Sequence, residues 1–331
     1  MKVLFYSTRS YDKISFRKRL EIYKGIEITF VESSLNDKTV EMANGYDAVC
    51  IFVNDNANTE VVKRLAELGV KTIALRCAGF NNVDYKTANE LGMLVIRVPG
   101  YSPESIAEHA MTLALSVNRR IHKAYTRVKD NNFSLTGLSG FCLNGKVAGI
   151  VGYGRIGKCM ANICKGFGME VIAYDPYFNK HENDTTRSVD LKCLYNNSDF
   201  IFLTTVLNDS TYHMINKRSI KQMKNDVVLV NVSRGALIDT EALIDGIKAG
   251  KFFGVGLDVY EGEDDNVYTN HEDDILMNCI TSRLLSFPNV IVTSHQAFLT
   301  DTALYQIADH TLCNLWLVKE NGSVNDMFIV K

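Results

Sequence analysis

Residues 146–176 read KVAGIVGYGRIGKCMANICKGFGMEVIAYDP, and Gly152, Gly154 and Gly157 stand between a short apolar run and a stretch of helical pattern. No other feature constrains the fold of this chain so tightly. Glycines spaced G-x-G-x-x-G where a strand passes into a helix allow a tight turn, close approach of a pyrophosphate to the backbone, and close packing of the helix. The amides at the helix start then face the phosphates. A glycine-rich turn alone is a weak signal. Here the next apolar run ends at Asp175, close to the distance of about 20 residues at which a carboxylate meets the ribose hydroxyls. A carboxylate there repels a 2′-phosphate, so the pattern predicts NAD rather than NADP.

The motif begins only at Lys146, which leaves a long segment before it to be explained. A chain of 331 residues exceeds what one hydrophobic core usually supports, so two domains are expected. From the start, the runs KVLFYS, IEITFVE, DAVCIFV, KTIALRC and MLVIRV alternate with helical stretches. In one of these, NTEVVKRLAELG, Val61, Val62, Leu65 and Leu68 recur at helical spacing. Short, continuous runs rich in Val and Ile suit a parallel sheet buried on both faces. Pro99 and Pro103 then interrupt regular structure, which places a boundary near residue 100. Beyond it, Ser102 and Pro103 can open a long helix over ESIAEHAMTLALSVNRRIH. A second alternation supplies the strands KVAGIV, EVIAYD, DFIFLTT, DVVLVNVS, FFGVGLDV and NVIVTSH, and a capped helix from TDTALYQ closes the sequence. The expectation is an α/β protein of two parallel-sheet domains, Rossmann-like and flavodoxin-like, with the dinucleotide domain inserted in the other.

Composition narrows the function. The net charge of -2 offers no electrostatic reason to expect nucleic acid or an anionic membrane as partner. No apolar run approaches the roughly 18 residues of a membrane span, and no signal-peptide core follows the N-terminus, so the cytoplasm is expected. The eight cysteines form no C-x-x-C pair and read as small buried hydrophobes in a reducing compartment. Triplets such as those at Asn183 and Asn231 have no meaning as glycosylation acceptors there. The cation-rich stretch Asn118 to Lys129 mixes charge with aliphatics, as a solvated or subunit-contacting helix does. The acidic loop Glu261 to Asp274 reads as solvated rather than metal-binding, and His109 reads as structural.

Chemistry is expected at three strand ends. Arg234 follows one strand, Asp258, Glu261 and Glu263 follow the next, and His295 follows the last. Ligands bind at this rim in open α/β sheets. Singly, Arg234 reads as a surface ion pair, Glu263 as part of an acidic loop and His295 as a cap or core residue. Beside a nucleotide site, coincidence is the weaker account of the three together, and Arg234 is a candidate for a bidentate grip on a carboxylate.

The motifs LRCAGFNNVD, RVPGYSPESIAEHA, VGYGRIG, VNVSRGALID, LDVYEGE and SHQAFLT, in that order, resemble those of the D-isomer-specific 2-hydroxyacid dehydrogenases, and most closely the fermentative bacterial branch that converts pyruvate and D-lactate. The resemblance implies residues 1–100 plus 300–331 as the substrate-binding domain and 101–299 as the NAD-binding domain. It implies His295 as the general acid, Glu263 as its partner and Arg234 as the clamp on the carbonyl and carboxylate. Ala78 and Gly79 would offer backbone amides to the substrate carboxylate, with Tyr101 nearby and Phe52 and Phe298 limiting the side-chain pocket. The cofactor would meet Gly152, Gly154, Arg155, Ile156, Gly157, Asp175, Thr205, Val206, Val232 and Ser233, with Asp258 at the nicotinamide amide. No metal is implied, a homodimer or homotetramer is expected, and hinges are expected near residues 100 and 299. The family commonly carries a His-x-Pro-like turn after the strand DFIFL, where this chain has Thr204, Thr205, Val206 and Leu207, so cofactor contacts there stay open. Two alternatives remain: action on larger 2-oxo acids such as 2-oxoisocaproate or phenylpyruvate, and an NAD-sensing binding protein like the corepressors that share this fold.

Overall fold

The computed structural model describes residues 1–178, 185–263, 267–273 and 279–330, so Asn183, Asp264, Asp265 and Asp274 lie outside the described residues. The chain divides into two units, Met1–Ser102 with Leu299–Lys331, and Pro103–Phe298.

The first unit is built on a parallel sheet of β1 (Lys2–Phe5), β2 (Glu27–Phe30), β3 (Ala48–Ile51), β4 (Thr72–Leu75) and β5 (Leu94–Arg97), ordered β2-β1-β3-β4-β5. Every residue of β3 and β4 is buried, the state in which an alternating polar face has no use. The outermost strand, β2, has no buried residue. On the helix Thr59–Glu67, capped by the Asn58 side chain, Val61, Val62 and Leu65 form the buried stripe. The helix Asp301–Asn321 is capped by Thr300 and ends at Gly322, whose φ of +73° lies where only glycine is unstrained. Asp309 on this helix accepts hydrogen bonds from Arg19 and, at 2.8 Å, from the Tyr23 hydroxyl. Past the helix, the Val330 amide donates to the Val95 carbonyl at 2.9 Å. The end of the chain is thereby fastened to the sheet that its beginning forms.

The second unit holds β6 (Val147–Val151), β7 (Glu170–Tyr174), β8 (Arg187–Ser188), β9 (Phe200–Leu203), β10 (Val227–Asn231), β11 (Phe252–Leu257) and β12 (Val290–Val292), all parallel and ordered β12-β11-β10-β9-β6-β7-β8. Six of these strands follow the apolar runs of the sequence. The seventh, β8, is two exposed residues with no apolar signal. The helix Pro103–Asn118 stops short of the expected length, and a separate helix, Ile121–Lys129, follows Arg120 at φ +53°. The break is made by Asn118, fully buried, whose amide donates to the Phe141 carbonyl at 2.8 Å and accepts from the Phe141 amide at 3.1 Å. Glycines explain how the helix Pro103–Asn118 lies on the sheet. A Cβ at Gly254 would sit 2.9 Å from Val117, and one at Gly256 the same distance from Leu113, so β11 gives up side chains to admit the helix.

Candidate active site

The glycine turn after β6 is shaped by what its residues lack. Gly152 has φ +94°, and a Cβ there would lie 2.7 Å from the Thr205 backbone. A Cβ on Gly157 would lie 2.1 Å from the Gly152 carbonyl oxygen, whereas Gly154 faces open space. Thr204 braces the turn, its hydroxyl donating to the Gly152 carbonyl at 2.7 Å. The helix Arg155–Gly166, which includes Ile156, begins at Gly154 without a side-chain cap, with its N-terminus at the glycine turn. Asp175, just past β7, accepts from the Tyr153 amide on Oδ2 at 2.7 Å and from the Tyr177 amide on Oδ1 at 2.8 Å. Each oxygen keeps lone-pair capacity for a hydroxyl donor. An open step at Gly154, uncapped amides and an oriented carboxylate fit a dinucleotide. Thr205 serves the turn through its backbone, and Val206 is 70% exposed beside it. After β10, Val232 is buried and the Ser233 hydroxyl donates to the Leu203 carbonyl at 3.1 Å, which ties two strand ends together.

At β10 to β12 the rim carries the candidate groups Arg234, Glu263 and His295. His295 has φ +50°, a conformation few non-glycine residues adopt, and it is held there from both sides. Its amide donates to the Asp258 carbonyl at 2.9 Å and its carbonyl accepts from the Tyr268 hydroxyl at 2.9 Å. Nδ1 lies 3.1 Å from Glu263 Oε1, and Glu263 Oε2 accepts from the Tyr260 amide at 3.2 Å. With Nδ1–H given to the carboxylate, Nε2 is the atom that can hold or release a proton. Arg234 stands at the start of the turn Gly235–Leu237 and donates from Nη1 to the Ser233 carbonyl at 2.6 Å. Among the described residues it has no carboxylate partner.

Asp258 is fully buried. Oδ1 accepts from the Thr293 hydroxyl at 2.5 Å and the Gln296 amide at 2.9 Å, Oδ2 accepts from the Ala297 amide at 2.9 Å, and His109 Nε2 lies 3.2 Å from Oδ1. Burial pushes this carboxyl up, but the hydrogen bonds from His109, Thr293 and Ala297 outweigh it and hold Asp258 below the usual carboxylate range. Expected at a nicotinamide amide, Asp258 is first of all the anchor of the segment that carries His295. The contributions of His109, Thr293 and Tyr268 had no signal in the sequence beyond their presence.

In the first unit, Ala78 and Gly79 follow β4. Arg97 Nη1 donates to the Ala78 carbonyl at 2.8 Å, and its guanidinium lies 5.0 Å from the Phe80 ring centre. The Phe52 ring, 7% exposed, has the guanidinium of fully buried Arg76 4.7 Å from its centre, with Phe5 at 4.4 Å on that same group. Arg76 also donates to the Ser7 carbonyl at 2.9 Å and lies 3.5 Å from Asp12. Tyr101 is half-buried, and Phe298, the last residue of the second unit, is buried. Sequence reasoning missed Arg76 and Arg97, since an arginine closing an apolar strand gives no sign of what it will touch.

These arrangements define a nicotinamide-dependent oxidoreductase of the doubly wound α/β class. The D-isomer specific 2-hydroxyacid dehydrogenase model for the NAD binding domain matches residues 111–297, and the chain belongs to that family. It is 48% identical over 316 residues to D-lactate dehydrogenase of Escherichia coli K12, covering 95% of this chain and 96% of that one. The apo structure of an Escherichia coli D-lactate dehydrogenase superposes with a TM-score of 0.90 at 46% identity, covering 100% of both chains. The pyruvate reductase of Chlamydomonas reinhardtii gives a TM-score of 0.90 at 42% identity, covering 96% of each chain.

Proposed function

We propose that this chain reversibly reduces pyruvate to D-lactate with NADH. The observation that carries the reading is the His295–Glu263 pair, set at one rim with an arginine that has no carboxylate partner among the described residues. When bound, NADH supplies the hydride that adds to the carbonyl carbon. His295 gives the proton from Nε2 to the carbonyl oxygen, so that the 2-oxo acid gains one hydride and one proton. Glu263 keeps the imidazole in the tautomer and orientation that the proton transfer needs. Arg234 binds the carboxylate and offsets charge that develops on the carbonyl oxygen. Ala78 and Gly79 offer amides to the carboxylate, Tyr101 contributes at the same end, and Phe52 and Phe298 restrict the substrate's side chain. Asp175 meets the ribose, and Asp258 keeps His295 in place.

The active form we propose is a homodimer or homotetramer in the cytoplasm. Exposed Ile121, Tyr125 and Val128 on the helix Ile121–Lys129, with exposed Phe133 and Leu135, support self-association. Free cysteines fit a reducing compartment.

Loss of NADH absorbance with pyruvate, 2-oxoisocaproate, phenylpyruvate and oxaloacetate tests the reading. Pyruvate should give the highest kcat/KM. Preference for a larger acid would move the substrate assignment within the family, and intact NADH binding without turnover on any of them would favour a sensing role.

A further inference from the structure

We propose that His213 is a positioning residue for this reaction, pinning the loop that carries Glu263 to the turn that carries Arg234. The inference rests on the reading of His295, Glu263 and Arg234 given above. His213 Nε2 lies 2.6 Å from Glu261 Oε1, a charge-assisted contact between side chains that are 30% and 25% exposed. The other oxygen of Glu261 accepts from the Thr240 amide at 3.1 Å and the Thr240 hydroxyl at 2.8 Å, at the first residue of the helix Thr240–Lys248. Glu261 is thus held from two directions two residues before Glu263, whose own carboxylate faces His295.

The other end of the pin is backbone. The His213 amide donates to the Ala236 carbonyl at 2.9 Å, two residues past Arg234. Between the two attachments, the Arg234 turn and the Glu263 loop meet main chain to main chain. A Cβ on Gly235 would lie 2.2 Å from the Tyr260 carbonyl carbon. A seam this close transmits a shift of one loop to the other, because neither has side-chain slack to absorb it. His213 adopts φ +48°, a conformation uncommon outside glycine, and is kept there by the Asn216 amide donating to its carbonyl at 2.8 Å and by stacking on Tyr212 with ring centres 4.0 Å apart. The loop Val259–Glu263 therefore bears two histidine–glutamate pairs: one that reacts, and one that sets where the first stands.

The test compares His213→Ala, His213→Gln, Glu261→Gln and His295→Ala. For His213→Ala, kcat for pyruvate should fall at least about tenfold, with the solvent deuterium isotope effect on kcat increased because proton transfer becomes harder. The dissociation constant for NADH, read by fluorescence titration, and Tm should stay near wild type. His213→Gln, whose amide can still donate to Glu261, should recover most of the rate. Glu261→Gln should lose rate as His213→Ala does, and the double variant should be no worse than either single one. Wild-type kcat and isotope effect in His213→Ala overturn the proposal. So does an equal loss in the Gln variant accompanied by a lower Tm, since that marks a general packing role. If His213→Ala does not fold, Glu261→Gln decides by the same two readouts. Should His295→Ala keep its turnover, the reading of the reacting pair fails first. A dead His295→Ala beside an unaffected His213→Ala sinks the positioning role alone.

Discussion

Both units place their important loops at the carboxyl ends of parallel strands, yet they use those ends in opposite ways. In the second unit, side chains are presented. Arg234, Glu263 and His295 follow β10, β11 and β12, and buried Asp258 holds the segment that carries His295. In the first unit, the charged side chains consume one another. Arg76 is spent on Ser7, Asp12 and two aromatic rings, while Asp55 accepts from the Ser7 hydroxyl, the Leu35 amide and the Phe52 amide. Backbone is the first unit's proposed offer to the substrate carboxylate, through the amides of Ala78 and Gly79, with Tyr101 at the same end. In the proposed reaction, one sheet end would supply proton transfer and charge, and the other a rigid frame for binding. Substitutions in the second should lower kcat, with a higher KM where the substrate carboxylate is also held, and those in the first should strike KM and selectivity.

His295→Ala is the strongest attempt to break this contrast. Loss of the proton donor should lower kcat by about 10²–10⁴, the usual worth of general acid catalysis, with NADH affinity by fluorescence titration unchanged. Near-normal turnover would remove the second unit's claim to the chemistry. Arg234→Lys is next. Lysine keeps the charge but not the two-pronged geometry, so kcat/KM for pyruvate should fall about a hundredfold, shared between a lower kcat and a higher KM. An unchanged KM would mean that the arginine does not hold the substrate carboxylate.

This division also governs how much could be read in advance. The glycine spacing, Asp175 and the candidate residues at three strand ends could be picked out because each follows an apolar run, and strand ends are where open parallel sheets bind ligands. The pairing of Glu263 with His295 was implied by the family resemblance, and the two side chains meet at 3.1 Å. Arg76, Arg97 and His109 were not legible. Their partners come from distant parts of the chain, Ser7, Ala78 and Asp258, and no local period encodes such a contact. The end of the helix Pro103–Asn118 was hidden likewise: its helical pattern continues through Arg119 and Arg120, and the break comes from Asn118 bonding to Phe141. Local pattern pointed to the candidate groups at the strand ends, whereas the contacts that hold them were decided by tertiary structure.

Arg97→Met sharpens the contrast from the first unit's side. The lost bond to the Ala78 carbonyl is charge-assisted, a class that contributes roughly 1.5–3 kcal/mol, and only part of that reaches the amides facing the substrate. KM for pyruvate should rise about tenfold with kcat nearly unchanged, as steady-state kinetics at saturating NADH would show. A fall in kcat with KM intact would place the first unit in the chemical step and erase the distinction.

The smallest effect is expected at Phe52, where binding becomes choice of substrate. The ring is buried and its position is set by the Arg76 guanidinium on one side and by its own backbone, which donates to Asp55 at 2.6 Å and accepts from the Asn82 amide at 2.8 Å. As the proposed wall of the substrate pocket, a ring fixed at so many points would not swing aside for a bulky group and would exclude by shape and not by charge. Apolar shape discriminates weakly: a methylene of fit is worth about 1–3 kcal/mol. Phe52→Leu keeps the wall apolar and shortens it. The ratio of kcat/KM for phenylpyruvate to that for pyruvate should therefore move about fivefold toward phenylpyruvate, or ~1 kcal/mol, while kcat for pyruvate stays within about twofold. Competition between the two acids in one reaction, followed by product analysis, reads the ratio directly. If the ratio does not move, Phe52 is core alone and size selection lies elsewhere; if pyruvate turnover collapses instead, the ring supports the frame around Arg76 and not the pocket.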